Sequence, residues 1–240
     1  MENISNISIP NNFCVICQEE SPILLISCTI FARPNDEVIG LCPHKFCQSC
    51  FRKENISSSL ACTFNCPCCH SPFYIHLKSL DEAILIGEAA TLSNYIFPIL
   101  FSTSTLIDEK EDEKVHNINM VMIEKFEAAL ELNPTHFTSL YSSFLASQYG
   151  QLFLVRNCRE YRPSTDYYIS RAYKSALRLL DHPAISESVN ESIKCLCYYE
   201  LSHIFYEHYN HSAALKYSKL GYEYCLRSSD HTDLAIYKAE

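Results

Sequence analysis

The chain has 240 residues, enough for one large domain or two smaller ones, and its apolar fraction of 48% is sufficient for a real core. Its formal net charge of −9 argues against a nucleic-acid partner, because phosphate binding requires a basic surface. The N-terminus lacks the basic region and apolar run of a secretory signal, so we expect a protein of the reducing cytoplasm or nucleus. No membrane partner is expected either, because the most apolar stretch, 84–101, is interrupted by Glu88, Asn94 and Pro98 and predicts a buried helix.

Composition divides the chain into five segments. A short N-terminal tail is followed by a segment rich in cysteine and turn residues, an apolar connecting helix, a charged linker and a long helical region. The charged stretch within the linker is either exposed chain or the start of a solvated helix. The predicted boundaries are 1–12, 13–76, 77–101, 102–117 and 118–240.

Ten of the 14 cysteines lie between Cys14 and Cys69, and such clustering under reducing conditions indicates metal ligands rather than disulfides. Pairs of cysteines separated by two residues form tight turns whose thiolates reach one ion, and eight ligands suit two tetrahedral zinc ions. Cys28, Cys62 and Cys68 are additional thiols, and Cys62 or Cys68 could compete with the assigned ligands. The candidate ligands, in chain order, are Cys14, Cys17, Cys42, His44, Cys47, Cys50, Cys66 and Cys69.

This order of ligands, with histidine in fourth place and the run Cys66-Pro67-Cys68-Cys69 at the end, resembles a RING-type zinc finger. The resemblance covers about 13–73 and implies a small α+β cross-brace that binds two structural zinc ions. It implies that Cys14, Cys17, Cys47 and Cys50 hold one ion. It assigns the other ion to Cys42, His44, Cys66 and Cys69.

The same resemblance implies a function. RING ubiquitin ligases dock a ubiquitin-conjugating enzyme charged with ubiquitin, which passes directly to a lysine of the target. Ile16 and Pro67 match the positions that contact the conjugating enzyme. His70 stands where many active members have Arg or Lys, which departs from the pattern and favours the alternative, a non-catalytic zinc-dependent scaffold for protein–protein interaction.

Apolar residues at helical spacing predict five helices after residue 117. The first carries Ile118, Met122 and Phe126 on one face and ends at Asn133-Pro134. The second begins near Phe137 and ends near Gly150, and the third runs from Pro163 to Pro183. A fourth and a fifth are predicted around 193–205 and 213–226. Their cysteines, Cys158, Cys195, Cys197 and Cys225, are predicted to be core residues.

Some of these helices are similar to one another. Phe126-Glu127-Ala128-Ala129-Leu130 is echoed by Tyr173-Lys174-Ser175-Ala176-Leu177, and both resemble the end of a tetratricopeptide repeat. The echo recurs at about 45 residues instead of ~34, so the region is predicted to be an array of helical hairpins that is tetratricopeptide-like. An ordinary helical bundle is the alternative. The resemblance implies that this region binds the target protein.

Overall fold

The computed structural model describes residues 13–18, 26–27, 44–55, 64–66, 68, 72–73, 77–100, 109–156, 162–185 and 191–227. The chain forms two compact units, the first ending at Ser142 and the second beginning at Ser143. The described residues are mostly helical, as the sequence predicts for everything after the cysteine-rich segment.

The described residues of the cysteine-rich segment form two short antiparallel ribbons and one helix. Strands β1 (Ile26–Ser27) and β2 (Lys45–Phe46) pair with Ile26 opposite Phe46. Helix α1 (Gln48–Asn55) follows β2 directly, and β3 (Phe64–Asn65) pairs with β4 (Pro72–Phe73). Ribbons of two residues cannot bury a core of their own, so this segment needs other support.

Helix α2 (Leu80–Leu100) is the buried helix predicted from the apolar stretch. It begins at Ser79, whose hydroxyl accepts a hydrogen bond from the backbone N–H of Glu82 at 3.1 Å. The Glu82 carboxylate reaches back to the backbone N–H of Lys78 at 2.6 Å, a variant of the capping box. These bonds satisfy donors that the first helical turn would otherwise leave without acceptors.

Helix α3 (Glu109–Leu132) begins inside 102–117, the charged segment interpreted from the sequence as an exposed linker or a solvated helix start. A run such as Glu109 to Lys114 forms a helix readily because Glu and Lys are good helix formers. The predicted apolar stripe is confirmed, since Ile118, Met122 and Phe126 are all fully buried. The helix ends before Asn133-Pro134, as predicted, because proline disfavours a helical conformation of the residue before it.

The cysteine-rich segment shares one apolar core with α2 and α3. Phe46 and Phe51, on either side of the start of α1, pack with their ring centroids 6.3 Å apart. The cysteine-rich segment thus acquires through α2 and α3 the core that its short ribbons cannot supply. The buried members of this cluster are Phe46, Phe51, Cys66, Leu77, Ala83, Ile84, Ile86 and Ala129.

A buried carboxylate, Glu88 of α2, joins three helices. It accepts hydrogen bonds from the side chains of Gln48 in α1 and Lys125 in α3, the latter at 2.6 Å. Glu88 is 1% exposed, so its charge must be compensated by these donors. An exposed ion pair between Arg52 and Asp81, 2.7 Å apart, adds a second contact between α1 and α2. The polar contacts therefore reinforce the shared core.

The described residues of the second unit are helical apart from short connections. Helix α4 (Phe137–Arg156) spans the boundary between the units and runs past Gly150, where the sequence predicted its end. Helices α5 (Arg162–Leu180), α6 (Glu191–Glu207) and α7 (His211–Arg227) confirm the other three predicted helices. A single 3-10 turn, Pro183–Ile185, follows α5, where the sequence placed a helix end. The tetratricopeptide identity of these hairpins stays a prediction.

Helices α6 and α7 form an antiparallel hairpin. The Ser202 hydroxyl donates to the backbone carbonyl of Ala214 at 2.9 Å, which draws the two helices together. Tyr198 stacks between Tyr217 and Tyr224, with ring centroids 6.2 Å and 5.5 Å away. These stacked tyrosine rings cover one side of α7.

A disulfide between Cys195 and Cys225 also joins α6 to α7. Both residues are buried, as predicted for core residues, and the bond between them is a feature that the sequence analysis did not predict. Disulfides are typical of oxidising compartments, so the bond counts against the reducing compartment expected from the sequence. Cys197 is buried too, while Cys158 lies outside the described residues. Within the described part of the chain, no helix has both the length and the apolar character required to cross a membrane.

Candidate metal centre

The first pair of predicted ligands lies on a tight turn. The backbone N–H of Gln18 donates to the carbonyl of Cys14 at 2.8 Å, which closes the turn around Cys17. Gln18 has a φ of 58°, a left-handed conformation that reverses the chain after the turn and that favours glycine. Val15 donates its N–H to the carbonyl of Lys45 at 3.0 Å, which ties this turn to β2.

The second pair lies at the start of α1. The backbone N–H of Phe51 donates to the carbonyl of Cys47 at 3.0 Å, so Cys47 opens the helix and Cys50 lies in its first turn. The N–H of Cys50 points at the sulfur of Cys47, 3.5 Å away, and the Ser49 hydroxyl lies 3.2 Å from the same sulfur. These contacts fix the position of the Cys47 sulfur at the start of α1.

These two turns bring four thiols together. The Sγ atoms of Cys14, Cys17, Cys47 and Cys50 all lie within 4.8 Å of one another. A zinc ion bound to four thiolates at ~2.3 Å holds its sulfurs about 3.8 Å apart, so a modest contraction would close the cluster around an ion. Four cysteine thiols are a ligand set typical of a structural zinc site. The cluster confirms that the four residues grouped by the RING resemblance lie at metal-binding distance.

The electrostatics of the cluster are those of crowded thiols. Burial opposes ionisation of Cys14, but backbone N–H groups of Cys17, Cys47 and Ile16 offset it and lower the pKa of Cys14 from 9.0 to about 6. Burial, together with the nearby sulfurs of Cys47 and Cys14, raises the pKa of Cys50 to about 12. One thiolate therefore forms readily while its neighbour resists a second negative charge, and a divalent cation would relieve that repulsion.

Two of the four ligands predicted for the second ion also lie close together. The sulfur of Cys66 is 3.4 Å from Nδ1 of His44. Tetrahedral zinc bound to one sulfur and one imidazole nitrogen would separate these atoms by about 3.6 Å. Cys42 and Cys69, predicted to complete this set, lie outside the described residues. A site for one ion therefore stands on four thiols, and the second ion remains a prediction.

Of the predicted docking residues, Ile16 lies on the surface. Ile16 is 40% exposed although its side chain is branched and apolar, because it lies on the tight turn between Cys14 and Cys17. Pro67 and His70 lie outside the described residues. Sequence reasoning missed two neighbours of Ile16, since Phe13 is 54% exposed and Val15 is 41% exposed. The three form an apolar knuckle patch, defined as Phe13, Val15 and Ile16, whose only signal in the sequence is that apolar residues flank Cys14.

Comparison with known proteins identifies no relative of this chain. Searches of the chain against protein-family models, curated proteins and solved structures find no match. The candidate site therefore rests on its own residues: a cluster of four cysteine thiols, able to bind one zinc ion, at the base of an exposed apolar patch.

Proposed function

We propose that this chain is a RING-type zinc-finger protein that acts as a ubiquitin–protein ligase. One observation carries the proposal: the first cysteine pair, Cys14 and Cys17, meets Cys47 and Cys50, although His44 precedes that pair in sequence. A finger of sequential sites would pair the first ligands with the nearest following ones. Here the first pair instead shares a cluster with a pair that follows His44 in the sequence. In a cross-brace the ligands of the two ions alternate along the chain in this way, so the cluster supports a RING over a finger with sequential sites.

The proposal includes a second structural zinc ion held by Cys42, His44, Cys66 and Cys69. The approach of His44 to Cys66, at 3.4 Å, supports it, because these two residues are separated by 22 positions and meet through folding rather than through sequence proximity. Both ions would be saturated by protein ligands. A saturated ion has no open position for water or substrate, so the metal gives shape and does not act as a Lewis acid.

A finger without a catalytic metal or nucleophile acts by binding. In the proposed reaction, ubiquitin passes directly from the conjugating enzyme to a lysine of the target, and the finger accelerates transfer by orienting the two. The knuckle patch supports this role, because a small exposed apolar patch is the kind of surface that docks a partner. Ile16 is the residue proposed to contact the conjugating enzyme, together with Pro67 and His70.

The helices after the finger are proposed to bind the target protein. An array of helical hairpins presents extended faces, and the packing of α6 on α7 leaves part of α7 exposed.

The test is discharge of ubiquitin from a panel of conjugating enzymes in the presence of the zinc-loaded full chain. Ile16→Ala should abolish stimulation without changing the zinc content. Leu152→Ala is the matched control, because Leu152 is an apolar residue of similar exposure, 44% against 40%, that lies in α4 outside the knuckle patch, and it should retain most of the activity. If the wild type binds no conjugating enzyme while it retains zinc, the ligase proposal falls and a zinc-dependent scaffold takes its place.

A further inference from the structure

Helices α6 and α7 are fastened to each other at both ends of their hairpin. Near the turn between them, the Ser202 hydroxyl donates to the backbone carbonyl of Ala214 at 2.9 Å. At the far end, the disulfide joins Cys195, in the second turn of α6, to Cys225, in the last turn of α7. The two fastenings are about 17 Å apart along α7, at about 1.5 Å per residue. The disulfide therefore holds the end of α7 that the turn does not hold.

Apart from this bond, α7 is only lightly packed. It buries three of its 17 residues, Ala214, Gly221 and Cys225, and the first two have no side-chain atom beyond Cβ. Helix α6, which has the same length, buries seven. The ring of Tyr224 stacks on that of Tyr198 near the disulfide, but both residues are only half-buried. Because burial of apolar surface stabilises a packed helix, the end of α7 depends on the covalent bond more than α6 does.

The described cysteines occur in two oxidation states. Cys195 and Cys225 form a disulfide, which is typical of oxidising conditions. The four cysteines of the candidate metal centre are thiols whose sulfurs lie within 4.8 Å of one another, and metal binding requires that they stay reduced. Both states are accommodated in one chain if the bond between α6 and α7 is made and broken while the metal centre keeps its thiols.

A third cysteine of the hairpin takes no part in this bond. Cys197 is a buried thiol two residues after Cys195, and residues two apart in a helix point about 200° away from each other around the helix axis. Burial, together with the nearby carboxylate of Glu200, raises the pKa of the Cys197 thiol, which keeps it in the unreactive protonated form. Exchange within the hairpin is therefore disfavoured, and the disulfide is opened by a thiol from outside the chain.

We propose that the disulfide between Cys195 and Cys225 is a reversible redox latch, which fastens the end of α7 to α6 when oxidised and releases it when reduced. The reductant is a cellular thiol such as glutathione. Its thiolate attacks one sulfur of the pair to form a mixed disulfide, and the other cysteine leaves as a thiolate that takes up a proton. A second glutathione attacks the mixed disulfide and releases the first cysteine. The pair gains two electrons and two protons, the two glutathione molecules become one disulfide, and oxidised glutathione drives the reverse reaction.

The burial of the pair makes the latch depend on motion of α7. Cys195 and Cys225 are each 1% exposed, so a thiol reaches them when the end of α7 lifts from α6. The small buried residues of α7 make this local opening less costly than opening of α6. The inference goes beyond the proposed function and stands without it, because it requires neither ubiquitin nor a target protein.

The experiment equilibrates the zinc-loaded full chain in graded mixtures of reduced and oxidised glutathione. Alkylation and mass spectrometry follow the oxidation state of the pair, and we expect Cys195 and Cys225 to convert together while the zinc content stays constant. Hydrogen exchange of peptides from the second half of α7 should be at least about tenfold faster in the reduced state, because a cross-link that closes a long loop is lost. Peptides from α5 and α6 should accelerate less than about threefold.

Two variants distinguish the latch from other thiol chemistry. In the double variant Cys195→Ser with Cys225→Ser, α7 should exchange in every mixture as fast as it does in the reduced wild type. Cys197→Ser is the matched control, because Cys197 is a buried cysteine of α6 outside the bond, and its α7 should respond to reduction as the wild type does. If the double variant fails to fold, the comparison of oxidised with reduced wild type carries the test by itself.

Three outcomes would overturn the proposal. The first is reduction of the pair with no change in the exchange of α7. The second is an equal acceleration of α5, α6 and α7, which would make the bond a structural cross-link of the whole unit. The third is a pair that stays oxidised in every mixture, or reduced in every mixture, because such a pair is not reversible.

Discussion

Removing the cation from the buried junction of α1, α2 and α3 should destabilise the finger and the helices together. Lys125→Met deletes the ammonium group that lies 2.6 Å from the carboxylate of Glu88 and keeps the length of the side chain. Among the described residues, the Gln48 side chain then remains as a hydrogen-bond donor to Glu88. Most of the free-energy cost of burying the Glu88 carboxylate is therefore no longer compensated.

The exposures of the two side chains set the magnitude. Removing one partner of a fully buried ion pair costs about 3–5 kcal/mol. The Glu88 side chain is 2% exposed but that of Lys125 is 20% exposed, so we expect the lower end, about 3 kcal/mol. The matched control is Asp81→Asn, which breaks the ion pair with Arg52. Those side chains are 67% and 46% exposed, so the loss there should stay below about 0.5 kcal/mol.

The assay is hydrogen exchange of the zinc-loaded protein, followed by mass spectrometry of peptides that cover α1, α2 and α3. A loss of about 3 kcal/mol raises exchange through cooperative opening roughly a hundredfold. Because α1 follows the second pair of thiols and shares the core of α2 and α3, peptides from all three helices should accelerate to a similar degree, and zinc should be released sooner to a chelator.

The double variant Glu88→Gln with Lys125→Met should recover much of the loss, because no charge then remains buried. The argument for a shared cooperative unit would be refuted if Lys125→Met cost no more than Asp81→Asn. It would also be refuted if α2 and α3 lost protection while α1 and zinc retention were unchanged.

Three further outcomes are expected. Metal analysis should return two zinc ions per chain and Cys47→Ser should lose zinc and unfold the finger, whereas one equivalent in the wild type would contradict the second site. Burial raises the pKa of Glu200, against hydrogen bonds from Gln151 and Gln148, so its contribution to stability is fully present below the unfolded pKa and is lost as pH rises through the folded pKa. Glu200→Gln should therefore raise the melting temperature more at pH 7.5 than near pH 4.5. An equal increase at both pH values would contradict this prediction. Tyr209 has a φ of 58°, a conformation that costs a residue with a side chain roughly 1 kcal/mol, so Tyr209→Gly should raise the melting temperature by a few degrees and Tyr209→Ala should not.

The sequence by itself determined the local features of this protein. The spacing of Cys14 and Cys17 predicts a tight turn because two thiolates separated by two residues must face the same point. The buried stripe of α3 and its end before Asn133 follow from periodicity and from proline, which act within one or two helical turns. These predictions are confirmed because neighbouring residues in the chain supply their physical causes.

Local patterns were less decisive at three places in the helices. Gly150 does not end α4, because glycine costs a helix only about 1 kcal/mol and buried neighbours such as Phe153 and Leu154 offset it. The charged run from Glu109 is compatible with a linker or with a helix start, and it forms the start of α3 because Glu and Lys are good helix formers. Cys195 and Cys225 are separated by 30 residues, and only the packing of α6 against α7 brings them together.

Only the tertiary structure decided which thiols share a site and what the finger rests on. Closing a longer loop costs little extra free energy, so spacing alone cannot tell whether Cys14 and Cys17 pair with the next ligands in sequence or with Cys47 and Cys50. The burial of Glu88 beside Lys125, and the place of Phe46 and Phe51 in a core shared with α2, likewise depend on residues far apart in the chain. Local sequence sets the turns and helices, whereas contacts between them select the partners, because burial rewards whichever packed arrangement removes the most apolar surface from water.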